Sequence, residues 1–133
     1  MKFLKLWVPV FLWLGLIFFL SSIPQLTTGL GIWDLILRKI AHMSEYFILV
    51  FFLYRAFRGS FNLTTFYLIF WSFSLSFLYA VSDEIHQAFV PHRSSSLLDI
   101  FIDTAGIIAF FILLRRKKGF IEKLCPEPKR SRV

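Results

Sequence analysis

The residues that could do chemistry are concentrated in one stretch, Ser82 to Arg93, which follows an uncharged apolar run over 63–81. The stretch contains two carboxylates, two histidines, a glutamine and an arginine. Carboxylates with imidazole can bind a divalent cation or move a proton, and arginine can hold a phosphate by a two-pronged contact. Neither Gly-x-Ser-x-Gly nor His-Glu-x-x-His occurs, so the stretch indicates a polar site without specifying a reaction.

The composition predicts that this site is surrounded by membrane helices. Hydrophobic residues make up 57% of the 133 residues and charged residues 17%, whereas charged residues are about a quarter of a soluble domain. Eighteen phenylalanines are too many for the interior of so short a chain. The single cysteine, Cys125, excludes an intramolecular disulfide, and no Cys/His spacing indicates a structural zinc site.

Four apolar segments have about the length that a bilayer core requires. They run over Leu6–Leu20, Leu35–Phe57, Leu63–Val81 and Leu97–Leu114. The first could be a signal peptide, but Phe18, Phe19 and Leu20 crowd its end and no small-residue cleavage site follows, which favours a retained span. Pro24 should end that helix, and 25–34 should form a loop. The prediction is an all-α integral membrane four-helix bundle over 1–118, with a basic, partly disordered tail over 119–133.

The distribution of charge predicts the orientation of the bundle. Four spans place both termini on one side, together with twelve of the fifteen Lys and Arg residues. Six of the eight acidic residues fall on the other side. The positive-inside rule therefore makes both termini cytoplasmic in a multi-pass protein of the cell membrane. The net charge of +7 then reflects the topology, and the basic residues on the cytoplasmic side should attract anionic lipid head groups. A nucleic-acid partner is not expected.

Three of the predicted helices present a polar stripe at their outer end. At 100° per residue, Lys39, His42, Glu45 and Tyr46 share an arc of the second helix. The third helix carries Asp83, His86 and Gln87, and the fourth carries Asp99 and Asp103. An unpaired charge in hydrocarbon costs several kcal/mol, so the stripes should face one another around a polar pocket open to the outside.

Two interpretations of these residues stay open. They could form an interhelical network that only holds the bundle together. In the second interpretation they form a functional site in which different residues have different roles. The candidate catalytic residues are His42, Asp83, Glu84, His86 and Asp103, and the candidate substrate-binding residues are Lys39, Tyr46, Gln87, Arg93 and Asp99. Lys39 and Arg93 would hold an anion, and His42 or His86 would move a proton. A divalent cation is a possible cofactor, with candidate ligands Glu45, Asp83, Glu84, His86, Asp99 and Asp103.

The motif residues resemble the VanZ-like family of small bacterial membrane proteins. The likeness rests on Ser82-Asp83-Glu84-x-His86-Gln87-x-Phe89-Val90-Pro91-x-Arg93, then Asp99, Asp103 and Gly106. Upstream it includes Lys39-x-x-His42-x-x-x-Tyr46 and Ser21-Ser22-x-Pro24, and it covers about 17–110. The chain departs from the family's usual Gly at His92, from its frequent Asn at Asp103 and from a further Gly at Ala109. The resemblance implies a link to low-level resistance to the glycopeptide teicoplanin, but it supplies no reaction.

These observations lead to one preferred hypothesis and two rivals. The preferred one is a cell-envelope protein whose outward pocket binds, and in one version processes, an anionic lipid-linked or cell-wall head group. The first rival is a non-enzymatic membrane protein that binds a glycopeptide or its lipid target, or modulates a protein partner. The second is a transporter or proton relay, which the apolar cytoplasmic half of every span disfavours.

Overall fold

Four α-helices make up nearly all of the chain that the structure, a computed structural model, describes. The described residues are 2–24, 31–91 and 96–117, together with Gly119 and Lys123. The helices are α1 (Lys2–Ser22), α2 (Ile32–Ser60), α3 (Thr65–Gln87) and α4 (Leu97–Arg116). No strand occurs within these ranges, and the predicted all-α bundle is confirmed.

The helix ends differ from the ends of the predicted apolar segments at two places. Residues 32–34 were expected in a loop but form the first turn of α2, where Asp34 lies at the positive end of the helix dipole. The rest of that predicted loop, 25–30, lies outside the described residues. The third apolar segment ends at Val81, but α3 continues to Gln87, as the polar stripe of Asp83, His86 and Gln87 on this helix predicted. Asp83 and Gln87 are buried in this polar extension of α3.

The other two helices match the expected boundaries closely. α1 ends at Ser22, two residues before Pro24, whose ring disfavours helix in the residue before it. α4 begins at Leu97, and its N-cap residue Ser96 accepts a hydrogen bond from the Leu98 amide at 3.1 Å. Apart from Gly119 and Lys123, the predicted tail lies outside the described residues.

Three of the described helices are long and apolar enough to cross a membrane by length and composition, namely Phe3–Ser22, Thr65–Gln87 and Leu97–Arg116. Large apolar side chains such as Phe11, Leu12 and Phe66 point outward on these helices, as expected for a protein in lipid. α2 is longer but carries charged residues near both ends. That α2 also spans the bilayer, and that both termini are cytoplasmic, stay predictions.

α2 is the central helix, because its packing against the other three helices is the most extensive in the bundle. Its face from Leu49 to Ala56 is almost completely buried. From α4, Phe110 packs its ring edge-on against Phe47 and Phe51. Above this apolar layer, at one end of the bundle, the interior becomes polar.

Candidate functional site

The buried acidic side chains lie at a single end of the bundle. There the C-terminal turns of α1 and α3 meet the N-terminal halves of α2 and α4. Five carboxyl groups lie close together at this end. Asp103 lies within electrostatic range of the other four, Glu45, Asp83, Glu84 and Asp99. The three polar stripes therefore come together, and α1 supplies a fourth.

An ion pair between Lys39 and Asp99 joins α2 to α4. Lys39 Nζ donates to Asp99 Oδ1 at 2.8 Å, and the two side chains are 32% and 25% exposed. Partial exposure makes this pair the accessible polar contact between the two helices. Both residues were candidates for substrate binding, and a bound anion would find the Lys39 ammonium already extended toward the α4 backbone.

One helical turn deeper, His42 lies between two carboxylates. Its Nδ1 atom is 3.7 Å from Asp103 Oδ1 on α4 and 3.9 Å from Glu45 Oε2 on its own helix. Asp103 is fully buried, and neither of its oxygens has a hydrogen-bond partner among the described residues. Carboxylates at this distance can orient an imidazole, and the role of His42 in moving a proton stays a prediction.

Asp83 connects α3 to the end of α1. Its Oδ2 atom accepts hydrogen bonds from Ser21 Oγ and Gln87 Nε2, both at 2.8 Å. Gln87 also reaches Ser21 Oγ at 3.4 Å. Asp83 and Gln87 are nearly inaccessible to solvent, and a catalytic role for Asp83 and a substrate-binding role for Gln87 stay predictions.

Tyr46 lies beneath these acids and is completely buried. Its hydroxyl finds no hydrogen-bond partner among the described residues, and it interacts electrostatically with Asp83 and Asp103. A substrate-binding role for Tyr46 stays a prediction. Tyr46 lies deeper in the bundle than the acidic side chains of the site.

His86 is separate from the acidic interior. Its Nε2 atom is 3.0 Å from Ser22 Oγ, and its ring lies 4.3 Å from that of Phe18 between centroids. Ser22 already donates its proton to the Phe18 carbonyl, so the His86 ring N–H donates to Ser22. Among the interactions of the described residues, none joins His86 to Asp83, although the two are one turn apart.

Glu84 marks the boundary between the polar interior and an apolar cleft. Its Oε2 atom accepts from the Ser96 amide at 2.9 Å, which ties the end of α3 to the start of α4. The cleft beside it has a volume of about 470 Å³, and Glu84 and Ser96 are its polar lining. Six apolar residues complete the lining: Val81, Ile85, Ala88, Phe89, Leu97 and Ile100.

Two predictions are not addressed by this geometry. Arg93, expected to hold an anion, lies outside the described residues. The proposed metal ligands have different partners: Asp83 binds Ser21, Asp103 lies beside His42, and Glu84 binds the Ser96 amide. Within the described ranges, no three His, Cys, Asp or Glu side chains come together as a group suited to a metal ion.

Sequence reasoning missed the contribution of α1. Ser21 and Ser22 entered the family resemblance but were not predicted to contact the site, yet Ser21 binds Asp83 and Ser22 binds His86. Tyr79 was also missed, and its hydroxyl donates to the Leu14 carbonyl at 2.7 Å. The sequence signal for this contribution was the Ser21-Ser22-x-Pro24 pattern. Pro24 fixes the end of α1, and the two serines place hydroxyl groups in its last turn.

Fold and site together define a small helical membrane protein with a buried polar network at one end of its bundle. The family model described as VanZ/LLP1 matches residues 6–118, and the chain belongs to that family. No curated protein and no solved structure matches the chain at a significant level.

Proposed function

We propose that this protein is a multi-pass cell-envelope protein whose polar site faces outward and binds an anionic lipid-linked or cell-wall head group. The observation that carries the proposal is the partly exposed Lys39–Asp99 ion pair, which lies above the buried His42 and Asp103 pair. Lys39 is a point charge suited to a phosphate. The surrounding carboxylates are acceptors for hydroxyl or amine groups of the same head group.

In the enzymatic version of this proposal, His42 would be the residue that moves a proton, since Glu45 and Asp103 lie within 4 Å of its Nδ1 atom and can orient the ring. Asp83, which accepts a hydrogen bond from Ser21, would hold the ends of α1 and α3 together beside this site. The family resemblance extends the proposal to low-level resistance to glycopeptides such as teicoplanin.

The outward orientation is supported by the distribution of basic residues, twelve of which fall on the predicted cytoplasmic side. It is tested with single cysteines in a Cys125→Ser background. Ile32→Cys lies in the first turn of α2 at the polar end and Phe61→Cys at the opposite end, and both positions are exposed. A membrane-impermeant maleimide should label Ile32→Cys in intact cells and Phe61→Cys only after lysis. The reverse pattern would place the site in the cytoplasm.

Head-group binding is tested on the full-length purified protein by native mass spectrometry with phosphatidylglycerol and phosphatidylcholine of identical chains. The wild type should prefer phosphatidylglycerol, and Lys39→Ala should lose about tenfold of that preference, as expected for one hydrogen bond to a charged group. Arg55→Ala, at the other end of α2, is the matched control and should keep the preference. Equal preference in Lys39→Ala and the wild type would reject the proposal.

Binding and processing are separated in cells. Lipid mass spectrometry with the wild-type gene, with His42→Ala and without the gene should reveal a changed envelope lipid only in the first case if the protein is an enzyme. Unchanged lipids together with retained phosphatidylglycerol binding would identify a binding protein without turnover.

A further inference from the structure

The cleft between α3 and α4 has the properties of a ligand site. Its volume of about 470 Å³ falls within the range of about 300–1,000 Å³ that is usual for small-molecule sites. Six of its eight lining residues are apolar, and two polar residues, Glu84 and Ser96, stand at one place in the wall. A mostly apolar lining with a few fixed polar groups is the composition typical of such sites.

The cleft adjoins the Lys39–Asp99 pair through the first turn of α4. The Ser96 amide donates to Glu84, and the Ser96 carbonyl accepts from the Asp99 amide at 2.9 Å. Ser96 and Asp99 are three residues apart, so they are neighbours on one face of the helix. Asp99 in turn accepts from Lys39. A molecule in the cleft therefore has a carboxylate and an ammonium group near its polar end.

The cleft also opens on the outer surface of the bundle. Ile85, Phe89 and Leu97 are 59%, 82% and 77% exposed, and they belong to the lining. They lie at the ends of α3 and α4, two of the helices apolar enough to span a membrane. In a membrane these side chains face lipid, so the entrance to the cleft is lateral.

We propose that this cleft holds one hydrocarbon chain of the lipid whose head group the site binds, and that the lipid enters sideways from the bilayer. The proposal rests on the head-group function above and narrows the ligand to a membrane lipid, as opposed to a free cell-wall fragment. The chain packs on Val81, Ile85 and Ile100. A hydroxyl or amine of the head group donates to Glu84, and its phosphate accepts from Lys39.

The test uses the full-length protein in phosphatidylcholine nanodiscs with a phosphatidylglycerol probe that carries a diazirine in one acyl chain. After irradiation, peptide mass spectrometry locates the attached probe. The cleft segments 81–89 and 97–100 should be labelled about tenfold more than the lipid-facing side of α1, the preference expected for one hydrogen bond to a charged group. A phosphatidylcholine probe with the same chain should label the segments evenly.

Two variants fill the cleft from opposite walls. Ala88→Trp acts from the end of α3 and Ile100→Trp from α4, so a folding defect in one leaves the other informative. Both should reduce labelling of the cleft about tenfold. Ala109→Trp is the matched control, because Ala109 is exposed on α4 and is absent from the lining. It should leave labelling unchanged, with circular dichroism checking helix content.

Even labelling along all four helices, or full labelling in both tryptophan variants, would overturn the cleft assignment. Selective labelling that both variants remove supports it. The head-group proposal fails on a different result, a Lys39→Ala protein that binds phosphatidylglycerol as well as the wild type does. The two failures are therefore distinguishable.

Discussion

Gly106 on α4 lies directly against the main-chain carbonyl of Met43 on α2, so closely that a Cβ atom at Gly106 would overlap it. Small residues at such crossings let two membrane helices approach along their backbones. The crossing is one turn from Asp103, and His42 is the residue before Met43. The approach of the two backbones therefore sets the 3.7 Å separation between His42 and Asp103.

Gly106→Ala should destabilise the protein by about 1–3 kcal/mol, because the added methyl group pushes α4 away from α2. The measurement is the free energy of unfolding in a mixed-micelle denaturation series. Gly15→Ala is the matched control, since a Cβ there meets nothing within 4 Å. Equal effects of the two substitutions would mean that the crossing tolerates a side chain.

His42 and Asp103 should be energetically coupled. A double-mutant cycle with His42→Ala and Asp103→Asn should give an interaction term of about 0.5–3 kcal/mol in the free energy of unfolding. Asp103→Asn keeps the shape of the side chain, so the variant should fold. Additive effects would show that the two side chains do not interact.

Ser21→Ala should cost about 1–3 kcal/mol of unfolding free energy, because it removes a hydrogen bond from the buried carboxylate of Asp83. Ser44→Ala is the control. Ser44 is exposed and donates only to the carbonyl one turn back on its own helix, Ile40, so its loss should cost less than about 0.5 kcal/mol. If the Ser21→Ala protein is as stable as the Ser44→Ala protein, the hydrogen bond from Ser21 to Asp83 does not stabilise the contact of α1 with α3.

The two halves of the Lys39–Asp99 pair should have opposite effects on lipid binding. Lys39→Met removes the cation and should weaken binding of phosphatidylglycerol. Asp99→Asn releases Lys39 from its anion and should strengthen that binding. Their costs in stability should both be small, about 0.2–1 kcal/mol, because the pair is partly exposed. Titration in nanodiscs measures the affinities. A change of the same sign in both variants would assign the pair to structure alone.

The sequence was sufficient for the fold class and for the convergence of polar residues from α2, α3 and α4. Both follow from periodicity, since costly charges at one end of apolar helices must find one another. The role of α1 was not predictable in the same way. Ser21 and Ser22 carry no charge, so no energetic penalty identified them as residues that need a partner.

The burial of Asp83 and Tyr46 could not be predicted from the sequence either. Helical spacing places residues on a face, but it does not say whether that face lines an opening or packs against another helix. The structure encloses both residues and places the described cleft to one side, at Glu84. The same packing carries α3 beyond Val81, where the apolar pattern alone ended it.

The polar side-chain contacts of this end have one further consequence. Ser21 with Asp83 and Ser22 with His86 join α1 to α3, whereas Lys39 with Asp99 and His42 with Asp103 join α2 to α4. Each of these contacts links the first hairpin of the protein to the second. The hairpins are thus complementary halves, each recognising the other through its polar tip, and the protein cut between α2 and α3 should reassemble from two co-expressed pieces.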